Sequence, residues 1–153
     1  MLQFLTLIIA IYAAGLSTIQ WISGKVKKIK ISYRLENTAF EDRIIHEAII
    51  FQIINLSQKP IFIKYCYILN KNGERILVSV DSFWTANREV SAEEASQLNP
   101  DRMLDIIYNR NEILKLEGKN FILEDETGKQ FFLDFNIEDQ KPITYTVTIV
   151  KEK

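Results

Sequence analysis

The N-terminal residues 1–24 include no charged side chain, and five basic residues follow within the next ten positions. A helix over residues 2–22 would be about 31 Å long, close to the roughly 30 Å hydrocarbon core of a bilayer. Helix is the expected conformation because lipid offers the backbone no hydrogen-bond partner. The sequence therefore predicts a single transmembrane anchor over residues 1–24. The residues predicted to contact the membrane are Leu2, Phe4, Leu7, Ile8, Ile11, Trp21 and Ile22.

Two alternatives to an anchor are a buried helix of a soluble protein and a cleaved signal peptide. Soluble helices rarely run this long without a charged face. A signal peptide needs a basic residue before its apolar core and a small-x-small cleavage site after it. No basic side chain precedes this core, and Ala13, Ala14 and Gly15 lie in its middle. We therefore expect the segment to stay attached.

The basic residues after the apolar segment predict its orientation. By the positive-inside rule, they keep the C-terminal domain in the cytoplasm and contact anionic headgroups as a collar. With five basic residues in this collar, 14 of the 19 remain against all 20 acidic ones, a net charge of −6 beyond Arg34. This distribution argues against nucleic acid as a partner. The collar residues are Lys25, Lys27, Lys28, Lys30 and Arg34.

Residues 25–153 predict one β-rich domain, because apolar and polar residues alternate or cluster in short runs separated by turn signals. Residues 27–35 alternate, which places Ile29, Ile31, Tyr33 and Leu35 on one face, and residues 36–43 read as a polar connection. The remaining predicted strands cover residues 44–56, 61–69, 75–80, 112–116, 120–124, 130–135 and 143–150. The single Cys66 excludes a disulfide framework and is compatible with a reducing compartment.

Two hairpins and one insertion separate these strands. Residues 70–73 (NKNG) favour a type I′ turn, and residues 125–129 (DETGK) predict a second hairpin loop. Residues 81–110 predict a short helical insertion. A capping box at Ser91 would open one helix through Leu98, and Asn99 would cap a second helix with a buried stripe. The stripe residues are Met103, Leu104, Ile107 and Tyr108.

The segment from Asn55 through Pro60 to Tyr65 resembles immunoglobulin-like β-sandwich domains, in which an apolar strand ends in Asn and a short turn carries Pro. The hairpin at residues 125–131 is similar to those of small single-pass membrane-anchored proteins of bacteria or phage. The resemblance implies a mainly β, immunoglobulin-like antiparallel sandwich and no particular chemistry. The chain differs from antibody domains in lacking their paired cysteines.

The sequence offers no constellation typical of catalysis. His46 is the single histidine, and Cys66 lies inside an apolar strand where it is expected to pack as a small hydrophobe. One His and one Cys do not make a zinc site. The acidic residues Glu124–Glu126 leave open a weak cation site in a hairpin. We therefore expect no catalytic residues, no metal site and no cofactor.

Two functional hypotheses remain. In the first, the domain recruits a protein partner at the inner membrane face, with the insertion as contact surface; a purely structural crossover is the alternative for that insertion. Its candidate contact residues are Phe83, Trp84, Met103 and Tyr108. In the second, the anchor itself self-associates within an oligomeric assembly or perturbs the membrane, through small residues at helical spacing. Those residues are Ala10, Ala13, Ala14 and Ser17. A reversed topology, with an envelope-facing domain, is a third possibility.

Overall fold

The computed structural model describes residues 29–40, 43–86, 88–138 and 151–152, together with Tyr12, Ala14 and Leu16. The strands are β1 (Ile29–Phe40), β2 (Arg43–Asn55), β3 (Ile61–Asn70), β4 (Arg75–Ile76), β5 (Val80–Thr85), β6 (Arg88–Val90), β7 (Gln97–Leu98), β8 (Met103–Asn109), β9 (Gly118–Asp125), β10 (Gln130–Asp134) and β11 (Lys151–Glu152). Helices α1 (Ala92–Ala95) and α2 (Arg110–Lys115) lie between them. The predicted mainly β fold is confirmed.

The strands form two antiparallel sheets that share one core. The first sheet has the order β1-β2-β8-β5-β6, and the second has the order β11-β10-β9-β3-β4, with β7 paired to the first residues of β3. The chain therefore crosses from one sheet to the other after β2, after β4, on both sides of β7, and after β8. Such crossings place the inward faces of both sheets against each other as a sandwich.

The core follows from strand alternation. Ile29, Ile31, Tyr33 and Leu35 are each at most 4% exposed, which confirms the predicted inner face of β1. Phe51 occupies the centre of the core, where aromatic rings from both sheets surround it. Its ring stacks on Phe121 at 4.2 Å and meets those of Phe135 and Tyr108 edge-on at 5.2 and 5.9 Å. These contacts between large buried rings hold the two sheets together.

Both predicted hairpins form, but neither uses a type I′ turn. In the first, Asn70 O accepts from Gly73 N, and Gly73 alone among the turn residues has a positive φ. In the second, Asp125 O accepts from Gly128 N in the same way. Each therefore has a three-residue loop, in which a type I turn ends in a left-handed glycine. The side chain before each loop, Asn70 or Asp125, caps the backbone N–H groups within it.

Three predictions between the strands are wrong. In the polar connection predicted at residues 36–43, residues 36–40 and Arg43 are strand, because β1 and β2 stay paired from Glu36↔Ala48 out to Phe40↔Arg43, past a bulge after Glu36. The strand predicted at residues 75–80 breaks after Ile76, since the chain there leaves the second sheet for the first. The strand predicted at residues 112–116 belongs to α2, whose cap Asn109 accepts from Asn111 N at 2.9 Å.

The predicted helical insertion is also largely wrong. Only α1 forms, and the residues predicted as a second helix form β8, a central strand paired with β2 and β5. The signal at Asn99 and Pro100 makes a turn instead. Arg102 N donates to Asn99 O, and Asp101 has φ +56°. Proline followed by a left-handed residue is typical of a type II turn.

Strand direction defines two ends of the sandwich. The basal end carries the start of β1, the end of β2 and the start of β8, because Ile29 pairs with Asn55 and Ile54 with Met103. The distal end carries α2 and the hairpin after β3. Within the described residues, no helix is long and apolar enough to cross a bilayer. Tyr12, Ala14 and Leu16 are helical, and the remainder of residues 1–24 lies outside the described part.

Candidate binding groove

A groove of about 950 Å³ lies between α1, β6 and the turn that leads into β8. All of its lining residues except Phe62 come from residues 85–103, so the insertion builds it. The apolar lining consists of Phe62, Val90, Leu98 and Met103, with Ala86 beside them. Its volume lies in the range of ligand-binding clefts.

Local capping fixes the α1 wall of the groove. Ser91 and Glu94 form the predicted capping box, in which each side chain accepts a hydrogen bond from the other residue's backbone N–H. The helix ends at Ala95, earlier than predicted, because the chain then pairs with β3 as β7. The bond from the Ser91 N–H and the ion pair with Arg88 lower the pKa of Glu94. Glu94 on the α1 wall therefore stays charged at neutral pH.

Asn55 holds the floor of the groove in place. Its Nδ2 donates to Lys59 O at 2.8 Å and to Leu98 O at 2.9 Å, and its Oδ1 accepts from Ser57 N at 2.9 Å. The side chain is fully buried. β2 ends in Asn because one side-chain amide can donate hydrogen bonds both to Lys59, in the loop before β3, and to Leu98 of β7. Asn55, Leu56 and Ser57 match the Asn-x-Ser glycosylation sequon, but the acceptor side chain of Asn55 is buried and so inaccessible.

Two apolar side chains of the groove are presented to solvent. Phe62 is 41% exposed and Met103 is 38% exposed, whereas Leu98 beneath them is 2% exposed. Charged side chains of both signs surround them, including Glu93, Arg88 and Arg102. Exposed apolar residues with a polar rim are typical of protein interaction sites.

An aromatic stripe on β3 continues from the groove along the outer face of the second sheet. It consists of Phe62, Tyr65 and Tyr67. The β3–β9 pairing shifts register between Ile63 and Tyr65, and Lys64 is the extra residue of this bulge. The bulge changes the alternation, so that Phe62 shares a face with Tyr65 and Tyr67. Alternation in the sequence alone would have placed Phe62 opposite them.

Two cations lie over the stripe. Arg75 Cζ is 4.7 Å from the ring centroid of Tyr67, and Lys64 Nζ is 5.2 Å from that of Tyr65. Gln130 Nε2 lies 3.2 Å from the Tyr67 hydroxyl, to which it donates. Tyr65 is 46% exposed. The stripe thus presents aromatic rings and cations to solvent.

The structure places the four predicted partner contacts on different surfaces. Met103 lines the groove, but Tyr108 is 2% exposed and points into the core. Phe83 packs against the same core, while Trp84 lies on the outer face of the first sheet. Of these four residues, only Met103 lines the groove. The prediction of Tyr108 as a contact is wrong because β8 is a central strand, whose alternate residues face inward.

The predicted collar and helix–helix residues are only partly described. Arg34 lies on the outer face of the first sheet, where Nη2 is 2.8 Å from Asp105 and Nε is 2.6 Å from Glu36. Burial lowers the pKa of Arg34, but its bonds to these carboxylates outweigh burial and raise it. Lys30 is half-buried in β1, and Ala14 is exposed. Lys25, Lys27, Lys28, Ala10, Ala13 and Ser17 lie outside the described residues.

The described residues contain no group of three or more His, Cys, Asp or Glu side chains that could hold a metal ion. Cys66 packs against the core, and burial raises the pKa of its thiol, against the opposing effects of the Tyr108 hydroxyl and Arg75. It therefore packs as predicted. The imidazole of His46 lies outside the described part.

Sequence reasoning missed Phe62 and Tyr65. The sequence did contain a signal for them. Lys64 and Tyr65 are two adjacent residues with polar groups inside an otherwise apolar strand, and a bulge explains this pattern.

Comparison of the chain with known protein families, with curated proteins and with solved structures gives no match in any of the three.

Proposed function

We propose that this chain is a membrane-tethered, non-enzymatic module that recruits a protein partner through the groove. The observation that carries the proposal is the exposure of Phe62 and Met103 at the mouth of a 950 Å³ groove with a charged rim. Aromatic and methionine side chains are enriched at interface centres, and truncation of one central residue commonly costs about 2 kcal/mol. The aromatic stripe extends the same surface along β3.

The tether is the apolar segment over residues 2–22, followed by the basic residues up to Lys30. These basic residues favour a cytoplasmic domain. The order of the two sheets is compatible with an immunoglobulin-like architecture, which we propose as the fold family. A reporter fused after Lys153 tests the orientation, because activity only in the envelope compartment contradicts it.

Deleting the insertion is unsuitable as a test of the groove, because residues 80–85 and 103–109 are strands of the first sheet. Point substitutions are better. We propose Met103→Glu as the test variant and Leu116→Glu as its matched control, since Leu116 is 40% exposed at the distal end. Both substitutions add one carboxylate to an exposed apolar site.

The full-length chain, with an affinity tag, is purified from membranes in mild detergent, and its partners are quantified. We expect Leu116→Glu to retain the partners of the unmodified chain. We expect Met103→Glu to recover at least tenfold less partner than the unmodified chain, because a carboxylate would be desolvated in the interface. Equal recovery with both variants would show that the groove is not the contact surface.

A further inference from the structure

We infer that the basal end of the sandwich rests on the bilayer surface, with Leu56 entering the headgroup layer and Lys59 contacting lipid phosphates. The inference rests on the tether of the proposed function. It adds a membrane contact, made by the folded domain itself, to the contact made by the anchor.

The length of chain between the anchor and the fold limits how far the domain can stand from the membrane. Gly24 and Ile29 are five residues apart, a span of at most about 17 Å. The interfacial layer on each side of the hydrocarbon core takes up about 5–7 Å of this distance. A domain of this size has a radius of gyration of about 14 Å. The domain therefore cannot tumble freely above the bilayer.

The sheet register determines which surface faces the membrane. Ile29 begins β1 and pairs directly with Asn55, so their Cα atoms are about 5 Å apart. Leu56 follows Asn55 immediately. Asp101 N donates to Asn55 O, and Asn55 N donates to Arg102 O, which joins the turn before β8 to the same end. The basal loops are therefore held as close to the bilayer as the start of β1.

The chemistry of the basal loops fits a lipid surface. Leu56 is 50% exposed although the adjacent Asn55 is fully buried, so the fold presents this leucine to its surroundings. Lys59, three residues later in the same loop, is also exposed. An exposed apolar residue with a cation near it in the chain is typical of interfacial membrane contacts. Asp101 and Glu126 are exposed acidic residues at the same end, so the contact is local to these loops.

The distal end provides a matched control. Seven residues of β1 separate Ile29 from Glu36, which corresponds to about 23 Å along the strand. Leu116 follows α2 at that distal end and is 40% exposed, similar to Leu56. A probe at Leu116 should therefore remain in water in any orientation that seats the basal end.

The test uses the full-length chain in vesicles of phosphatidylglycerol and phosphatidylethanolamine, with part of the lipid brominated near the headgroup. Leu56→Cys and Leu116→Cys are made in a Cys66→Ala background and labelled with an environment-sensitive fluorophore. Lys59→Cys is a second basal probe in case Leu56→Cys fails to fold. We expect brominated lipid to reduce the basal fluorescence at least twofold and to leave the distal fluorescence unchanged.

Resistance to carbonate extraction is measured on the same vesicles. If the chain resists extraction but basal and distal probes are quenched equally little, the bilayer contact is wrong while the tether stands. If carbonate releases the chain, both the contact and the tether are wrong. Partner recovery with Met103→Glu is measured in detergent, without a bilayer, so failure of the partner-binding proposal is recognisable separately.

Discussion

The outer faces of the two sheets differ in how they use similar side chains. On the first sheet, Ala48, Ile50 and Ile107 are at most 4% exposed although they point away from the shared core. On the second sheet, Tyr65 also lies on the outer face of its strand, β3, but it is 46% exposed. The first face is therefore closed by contacts within the chain, whereas the second keeps aromatic rings available. This exposed second face adjoins the groove that we propose as the partner site.

Charged residues follow the same division. On the first sheet, Asp105 accepts hydrogen bonds from Arg34 at 2.8 Å and from Gln52 at 3.2 Å, which links three neighbouring strands. On the second sheet, Arg75 and Lys64 lie over aromatic rings. A cation over an exposed ring contributes about 0.5–1 kcal/mol, whereas removing one partner of a buried ion pair costs about 3–5 kcal/mol. Stability should therefore depend on the first face and binding on the second.

The largest expected effect is from Ile50→Ala on the first face. The substitution removes buried methyl and methylene groups and leaves a cavity, so the free energy of unfolding should fall by about 3 kcal/mol. Tyr65→Ala on the second face is the control and should cost less than about 1 kcal/mol, since the ring is largely in water. Urea denaturation of the full-length chain in detergent measures both. Equal losses in the free energy of unfolding from the two substitutions would contradict the proposed difference between the two faces.

The next effect concerns the ion-pair network. Asp105→Ala leaves Arg34 with only Glu36 of its two carboxylates, and the side chains of Arg34 and Asp105 are 22% and 16% exposed. Because this remaining exposure allows partial solvation, we expect a loss of about 2 kcal/mol, below the range for fully buried pairs. The control is Glu124→Ala, which removes an acceptor of Gln130 from the second face. A larger loss from Glu124→Ala would contradict the assignment of stability to the first face.

The smallest expected effect compares neighbouring positions on opposite faces of β3. Burial raises the pKa of the Cys66 thiol, so less reactive thiolate is present at pH 8 than on an exposed cysteine. Alkylation of Cys66 should be at least tenfold slower than that of Tyr65→Cys in a Cys66→Ala background. The rate for Cys66 should continue to rise at a pH where the exposed thiol is already fully ionised. Mass spectrometry after timed quenching gives both rates, and equal rates would place both positions in water.

Local patterns predicted much of this fold. The inner face of β1, the capping box at Ser91 and the two glycine hairpins all depend on hydrogen bonds or side-chain alternation within a few residues. Such features can be predicted from sequence because their partners are adjacent in the chain. The type of turn in the first hairpin could not be predicted from sequence, because Asn72 and Gly73 suit either a type I′ turn or a type I turn that ends in glycine.

The errors around the groove share a physical cause, which is that distant partners override local signals. Residues 103–109 carry a plausible helix stripe, yet β2 and β5 pair with them on both sides and make them a central strand. Residues 110–115 form a helix capped by Asn109. Ile113 packs so closely on Gly118 that a Cβ atom at residue 118 would lie 2.6 Å from Ile113 Cγ2. The groove was missed because it joins Phe62 to residues 85–103.

The sequence by itself determined the apolar segment, the basic residues after it, the β-rich composition and the local turns. These depend on hydrophobicity, charge and short-range hydrogen bonding. The tertiary structure decided that Met103 is exposed and Tyr108 buried, that the bulge at Lys64 gathers three aromatic residues on one face, and that Leu56 lies beside the start of β1. Each of these depends on which strands become neighbours, and sheet pairing joins residues that are far apart along the chain.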